Sequence, residues 1–192
     1  GTIKDLVIDA SCSFTASTNV FGALATMSKG GSYKKVSNRA NVTYTATADV
    51  EQEIILGGLV GVSEGGKYDE CSNSGAIKFE ATGLIHKAVS LGGLVGLIDN
   101  QNAKTDFTSC VNRGQVILNA KYGDPACEFS YGGSGNTRGI NLGGIVGTSS
   151  YSLENMPSFV QCINETDGKL SLYHSDFSAL DPTDAFGTVS VA

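Results

Sequence analysis

The chain is short of several residue types that other protein classes need. It has no Trp, 3 Pro and 2 Met among its 192 residues, and charged residues make up 17% of it. The basic residues form no cluster and the formal net charge is −6, which argues against nucleic acid or an anionic membrane surface as the partner. No apolar run approaches the roughly 20 residues that span a bilayer, so we expect no direct membrane insertion.

Signals for export and for cofactors are also missing. No basic segment followed by an apolar one opens the chain, so we expect Gly1 to begin a mature or excised domain. The two histidines, His86 and His174, stand at unrelated positions, which argues against a metal site. The glycines at 132, 133 and 135 lack the other residues of a phosphate-binding loop. We therefore predict neither a metal nor a cofactor.

Glycine, by contrast, is abundant, with 25 residues. Many of these glycines lie in an eight-residue motif that occurs three times, which we call the first phrase. The phrase reads IILGGLVG at 54–61, VSLGGLVG at 89–96 and INLGGIVG at 140–147. A weaker copy at 20–25 can be laid over 56–61. Self-similarity of this kind is typical of solenoids, in which each unit buries its apolar face only by stacking on its neighbours.

A second phrase follows each copy of the first. It reads aromatic, two residues, Cys, one residue, Asn, one residue, Gly, one residue, aliphatic. A partial copy opening the chain would place Cys12 opposite Val42, and so in the interior. The aromatic positions are Tyr33, Tyr68, Phe107 and Phe159, the Cys positions are Cys71, Cys110 and Cys162 with Val36 in the first copy, and the Asn positions are Asn38, Asn73, Asn112 and Asn164.

Alternation of apolar and polar residues is frequent, as at Ile77, Phe79 and Ala81, whereas no segment sustains a helical apolar pattern. The sequence therefore predicts an all-β fold, a short parallel and right-handed β-helix of about four coils with loop insertions. We expect one domain over 1–192, excised from a larger surface protein. Its units are a partial one at 1–16, then 17–53, 54–88, 89–139 and 140–173, with an irregular tail at 174–192.

Stacking at about 4.8 Å would turn each repeated position into a column. We expect the aromatics to stack and the amides to bond to one another as structural ladders, with a row of ligand-binding amides as the alternative. Because Val36 replaces Cys, we expect buried free thiols, with disulfides or a metal as the alternative. The GGLVG strand carries apolar residues on both faces, so it needs cover on both, or a bulge at the paired glycines.

The GGLVG core followed by C-x-N-x-G-x-[IV], as at 71–77 and 110–116, resembles the GLUG-type repeat of bacterial surface proteins. The opening GTIKDLVIDASCSF also resembles β-helical segments of cell-surface proteins from Bacteroides-like bacteria. The resemblance covers about 1–173. It implies an exported β-solenoid, extracellular or attached to the cell surface or outer membrane, that acts in adhesion, and it supplies no catalytic motif.

The longer of two insertions, together with scattered carboxylates, supplies the remaining candidates for function; the shorter insertion is 148–158. The longer insertion, 121–138, carries Tyr122, Phe129, Tyr131 and Arg138, which could bind a surface glycan or protein, or could only cover the solenoid. It also holds Cys127, the best candidate for a reactive thiol. A polysaccharide-cleaving site would need clustered carboxylates, or an Arg or Lys base with a metal-binding acidic group. The carboxylates in loops that could adjoin share no motif and have no obvious base; they are Asp99, Asp106, Asp124, Glu128 and Glu154. We predict a non-catalytic adhesion or ligand-display module, with carbohydrate binding or cleavage and a pure spacer as alternatives.

Overall fold

The computed structural model describes residues 1–122, 139–173 and 190–191. Nearly all of these residues are in strands or in the tight turns between them. One 3₁₀ turn, Leu153–Asn155, is the only helical element in these ranges, and no helix there could cross a membrane. The strands are β1 (Thr2–Ile8), β2 (Ser13–Thr15), β3 (Val20–Gly22), β4 (Ala25–Asn38), β5 (Asn41–Ala46), β6 (Ile54–Gly57), β7 (Val60–Asp69), β8 (Ser72–Asn73), β9 (Ile77–Ile85), β10 (Val89–Gly92), β11 (Val95–Asn100), β12 (Thr105–Thr108), β13 (Val111–Asn112), β14 (Val116–Tyr122), β15 (Ile140–Gly143), β16 (Val146–Tyr151), β17 (Ser158–Val160), β18 (Ile163–Asn164), β19 (Leu170–Tyr173) and β20 (Ser190–Val191).

The strands form three parallel sheets. Sheet A contains β1, β4, β7, β8, β11, β12, β13, β16, β17 and β18; sheet B contains β2, β5, β9, β14 and β19; and sheet C contains β3, β6, β10, β15 and β20. Each coil passes from sheet C to sheet A and then to sheet B, as β6, β7, β8 and β9 do. This arrangement confirms the predicted parallel β-helix of about four coils; its handedness stays a prediction.

Repeated sequence positions pair directly with one another. Leu56, Leu91 and Leu142 are neighbours in sheet C, and Asn38 and Asn73 are neighbours in sheet A. Since every coil places the same residue type at the same point of the sheet, the interior columns follow from the repeat itself.

The first coil departs from the predicted register. Phe14, not Cys12, pairs with Val42, because the chain uses two more residues in a turn where the Cys12 amide donates to the Asp9 carbonyl at 3.0 Å. Cys12 is consequently exposed, and the prediction that it is buried is wrong. The weaker copy of the first phrase is likewise displaced by one residue, since Gly22 pairs with Gly57.

The GGLVG phrase forms the corner between sheets C and A. Strand β6 ends at Gly57 and β7 starts at Val60, so the intervening residues make a bend and not a continuous strand. Leu59 and Val60 then both enter the core of sheet A. A Cβ atom on Gly58 would collide with the carbonyl oxygen of Gly93 in the next coil, so only glycine fits at position 58.

Three apolar clusters hold the coils together. One lies between sheets B and C and includes Phe79 and Leu91, and a second lies inside the curved sheet A. A third, smaller cluster joins Ile55 of β6 to Val62 of β7. Strand β6 is therefore covered by apolar side chains on both faces, and each apolar side chain buried in this way contributes roughly 1.5–3 kcal/mol.

Candidate functional site

The repeated asparagines form one continuous row in sheet A. The Nδ2 of Asn38 donates to the Oδ1 of Asn73 at 2.8 Å, although 35 residues separate them. Asn73 donates in the same way to Asn112 at 2.9 Å, and Asn112 donates to Asn164 at 2.8 Å. Each Nδ2 also donates to a carbonyl in its own turn, such as that of Gly75. Asn38, Asn73 and Asn112 are fully buried, so both amide hydrogens of each are used inside the protein.

The row is packed against the glycines of the first phrase. A Cβ atom on Gly93 would lie 2.6 Å from the Oδ1 of Asn112, and one on Gly144 would lie 2.6 Å from the Oδ1 of Asn164. The two repeated phrases are therefore in contact across the coil, because the amide of one occupies the space that a side chain would need in the other.

The cysteine positions form a second row beside the asparagines. Cys71 and Cys110 are fully buried and Cys162 is half-buried, and all of them are free thiols. The sulfur of Cys110 donates to the carbonyl of Tyr68 at 3.4 Å. Contact with the Cys71 sulfur and burial raise the pKa of the Cys110 thiol, which keeps it protonated and unreactive.

The aromatic positions stack along the inside of sheet A. Ring centroids lie 4.9 Å apart for Tyr33 and Tyr68, 4.7 Å for Tyr68 and Phe107, and 5.0 Å for Phe107 and Phe159. The Tyr68 hydroxyl donates to Ser63 at 3.1 Å, and burial raises its pKa, so it remains a donor. These rings fill the interior and are not accessible to a ligand, except at Phe159, where 49% of the residue is exposed.

Five residues with a strained backbone conformation form a row on the outer surface of the β-helix, at a corner that the sequence did not predict. One residue of each coil has a positive φ near 50° although none is glycine, which costs roughly 1–2 kcal/mol for an ordinary side chain. The residue types at these positions do not predict a positive φ, since they differ from coil to coil. The only signal in the sequence is that each position directly precedes the cysteine column. The row consists of Asp5 (φ 53°), Lys35 (φ 54°), Glu70 (φ 52°), Ser109 (φ 52°) and Gln161 (φ 55°).

Next to this row, sheet A presents a polar groove of about 570 Å³. The aromatic residues of these strands point inward, so their neighbours in sequence point outward, in two parallel columns. We call this surface the polar face. Its residues are Ser32, Lys34, Lys67, Asp69, Lys104, Asp106, Thr108 and Ser158.

Charges on the polar face are largely paired between and within coils. The Lys34 ammonium lies 2.7 Å from Asp69, and Lys104 lies 3.0 Å from Asp106. Burial opposes ionisation of Asp106, but the hydrogen bond from Ser158 and the Lys104 ammonium outweigh it and lower the pKa of this carboxyl. Of the three lysines on the polar face, Lys67 is the one without an ion pair within 4 Å among the described residues, and its charge acts on Asp106 from a longer distance.

The predicted carboxylates do not come together as a catalytic pair where they are described. Asp99 lies beside Glu64 and Gln101, Asp106 contacts Lys104 and Ser158, and Glu154 lies in the 3₁₀ turn, so no partner is shared. Burial and the Glu64 charge raise the pKa of Asp99. Among the described residues no three His, Cys, Asp or Glu side chains are grouped to hold a metal.

The first two residues of the longer insertion, Lys121 and Tyr122, belong to strand β14, so the insertion begins within that strand and not after it. Tyr122 is the last residue of that strand, and its backbone pairs with Ile85. The side chain of Tyr122 lies outside the described part of the structure. So do Phe129, Tyr131, Arg138 and Cys127, together with Asp124, Glu128 and His174.

The phrases that carry the resemblance to the GLUG-type repeat occupy equivalent corners and rows in successive coils. The second glycine of each GG pair and the asparagine of the following phrase are the residues that touch. Membership of that family stays a prediction from the sequence. Comparison of the chain with known protein families, with curated proteins and with solved structures found no match.

Proposed function

We propose that this protein is a non-catalytic adhesion or ligand-display module of a bacterial cell surface, and that the polar face is its ligand-binding surface. The groove on that face carries the proposal. It spans four coils and offers ammonium, carboxylate and hydroxyl groups at the regular spacing of a parallel sheet, about 4.8 Å. An extended polar ligand, such as a surface glycan or a protein segment, can make the same contact with one coil after another.

The chemistry of the described residues favours binding over catalysis. The interior thiols and amides are occupied by one another, and the carboxylates of the polar face are ion-paired with lysines. A general acid and base would need two carboxyl groups on either side of a scissile bond. The resemblance to GLUG-type repeats supports the same choice and favours an extracellular location.

Carbohydrate recognition by the insertion is the second candidate. Tyr122, Phe129, Tyr131 and Arg138 supply the aromatic and cationic groups that stack on sugars and bind their hydroxyls. The polar face and the insertion begin on different sheets, A and B, so each can be changed independently of the other.

A glycan and mucin array, with fibrinogen-type and matrix proteins included, tests the proposal. We expect Lys67→Ala to reduce binding about tenfold, because it removes the available ammonium of the groove. Lys78→Ala is the matched control, since Lys78 is paired with Glu80 at 2.8 Å on sheet B and should leave binding unchanged.

The alternatives give different results in the same assay. Loss of binding in Tyr131→Ala but not in Lys67→Ala would move the site to the insertion. Release of reducing ends or unsaturated sugars from a polysaccharide panel would overturn the non-catalytic assignment. A protein that binds nothing on the array, although it is folded, would be a spacer.

A further inference from the structure

The charged side chains of the polar face do not follow the columns of the repeat. Lys67 and Asp69 form a Lys-x-Asp pair in β7, and Lys104 and Asp106 form the same pair in the next coil. The sheet, however, pairs Asp106 with Lys67 and not with Asp69. The second pair is therefore displaced by two residues, so that like charges are arranged diagonally across the strands.

The lysines of the polar face form one diagonal over three coils. Lys67 pairs with Ser32, so it lies one coil on from Lys34 and two residues back. Lys104 continues the line by the same step, and its carbonyl accepts from the Gly66 amide at 2.9 Å, which fixes its place in the sheet. A coil spacing of about 4.8 Å and two residues along the strand give a step of about 8 Å between backbone positions. We call Lys34, Lys67 and Lys104 the lysine diagonal.

The ammonium groups of the lysine diagonal keep donors for a ligand. Each ammonium has three N–H donors. That of Lys34 donates to Asp69 at 2.7 Å and that of Lys104 lies 3.0 Å from Asp106, while 51% and 46% of these lysine side chains are exposed. Because exposed ion pairs of this kind stabilise a protein little, an anion of the ligand can share or replace the aspartate at small cost.

The carboxylates beside the lysine diagonal are less available than its ammonium groups. Asp69 accepts from Lys34, and Asp106 accepts from Ser158 while it is also paired with Lys104. The groove therefore offers three ammonium groups, the middle one without an ion pair within 4 Å among the described residues, against two occupied carboxylates. This balance favours an anionic ligand over a cationic one.

The rest of the groove favours a ligand that is rich in hydroxyl groups. The one aromatic residue of its lining, Tyr68, is only 1% exposed. An apolar side chain of a peptide would find no exposed ring or branched aliphatic side chain among the lining residues to pack against. Hydroxyl groups, in contrast, lie on both sides of the lysine diagonal, and they belong to Ser32, Thr108 and Ser158.

We propose that the polar face binds an acidic polysaccharide, whose successive anionic groups contact the lysine diagonal while its hydroxyl groups contact the serines and the threonine beside it. Such binding rests on the proposed function, since it gives the ligand class of the same surface. The chain has a net charge of −6, so long-range attraction does not draw a polyanion to it. Affinity depends on short-range contacts, and each lysine of the diagonal contributes.

Biolayer interferometry of the full chain with four polysaccharides tests the ligand class. Polygalacturonate carries a carboxylate on each sugar, and its methyl ester has the same backbone without the charge. Dextran sulfate and dextran repeat the comparison with sulfate in place of carboxylate, so the preferred polymer identifies the anion. We expect saturable binding of at least one acidic polymer and about tenfold weaker binding of its neutral form.

Lysine variants locate the contact on the diagonal. Lys34→Ala, Lys67→Ala and Lys104→Ala should each weaken binding of the acidic polymer about fivefold to tenfold. Lys29→Ala is the matched control and should leave binding unchanged, because Lys29 lies on the same sheet outside the groove and is paired with Glu64 at 2.9 Å. Circular dichroism verifies that the variants fold.

An aspartate variant should change binding in the opposite direction. Asp106→Asn removes a negative charge beside the lysine diagonal and keeps an acceptor for the Ser158 hydroxyl, so it should tighten binding of the acidic polymer about threefold. A loss of folding cannot produce such an increase.

Three results would overturn this ligand class: equal binding of acidic and neutral polymers, no binding of either acidic polymer, or weaker binding by Asp106→Asn. The proposed function is tested separately. It stands if Lys67→Ala reduces binding of a neutral glycan or a protein on the array, even where the acidic polymers fail. If Lys67→Ala leaves the binding of every ligand unchanged, both the ligand class and the polar face as binding surface are wrong.

Discussion

Replacement of Asn73 by alanine should destabilise the protein strongly, because its side chain is fully buried within the asparagine row. The Asn73 side chain takes part in three buried hydrogen bonds: it donates to the Gly75 carbonyl and to Asn112, and it accepts from Asn38. Each bond contributes about 1 kcal/mol net, and a buried partner left unsatisfied loses more. Because Asn38 and Asn112 each keep another partner, we expect a total loss of about 3 kcal/mol.

Urea denaturation followed by circular dichroism measures this loss. The unfolding midpoint should fall to a lower urea concentration, while the slope of the unfolding free energy against urea concentration stays unchanged. Thermal denaturation should show a melting temperature about 6–12 °C lower, from the 2–4 °C per kcal/mol typical of this chain length. Asn164→Ala is the matched control, since the same side chain at the exposed end of the row makes two bonds. Equal losses for the two variants would refute the reasoning, because they would show that position within the row does not matter.

Three further changes probe the scaffold. Gly93→Ala should prevent stable folding or lower the melting temperature by more than 10 °C, since the new Cβ collides with the next coil; wild-type stability on thermal denaturation would contradict the packing described. In the native protein Cys110 should resist iodoacetamide at pH 8 while exposed Cys12 reacts, and mass spectrometry of labelled peptides would detect the reverse. Asp99 has a raised pKa from burial and from Glu64, so its contribution to stability is present below the ordinary value of 3.8 and is lost as pH rises through its folded pKa. Asp99→Asn should therefore raise the urea midpoint at pH 7 but not at pH 3, and a uniform effect at both pH values would contradict this assignment.

Repetition made the architecture predictable. In-register stacking of the coils brings the recurring GGLVG, Cys and Asn positions next to one another. The observed pairs, such as Leu56 with Leu91 and Asn73 with Asn112, are those that an alignment of the repeat units implies. Where the repeat is degraded the prediction fails. Cys12 and Gly22 lie in the weakest copies, and there a turn of different length changes the register.

The polar face and the strained corner could not be derived from the sequence in the same way. Lys67 and Asp106 belong to variable positions of the repeat, and only the alternation forced by the inward aromatics directs them to one surface. Glu70 and Ser109 have positive φ because the chain must turn sharply there, and their residue types do not reveal it.

What the sequence by itself determined is the set of columns, because identical residues at a constant place in each unit can all be buried only if the units stack. What the tertiary structure decided is which columns touch each other. The second glycine of each GG pair lies against the asparagine of the following phrase, a contact made across the coil between residues such as Gly58 and Asn73. Local sequence carries no information about the distance between these two residues, since this distance depends on how sheet A curves back over the corner.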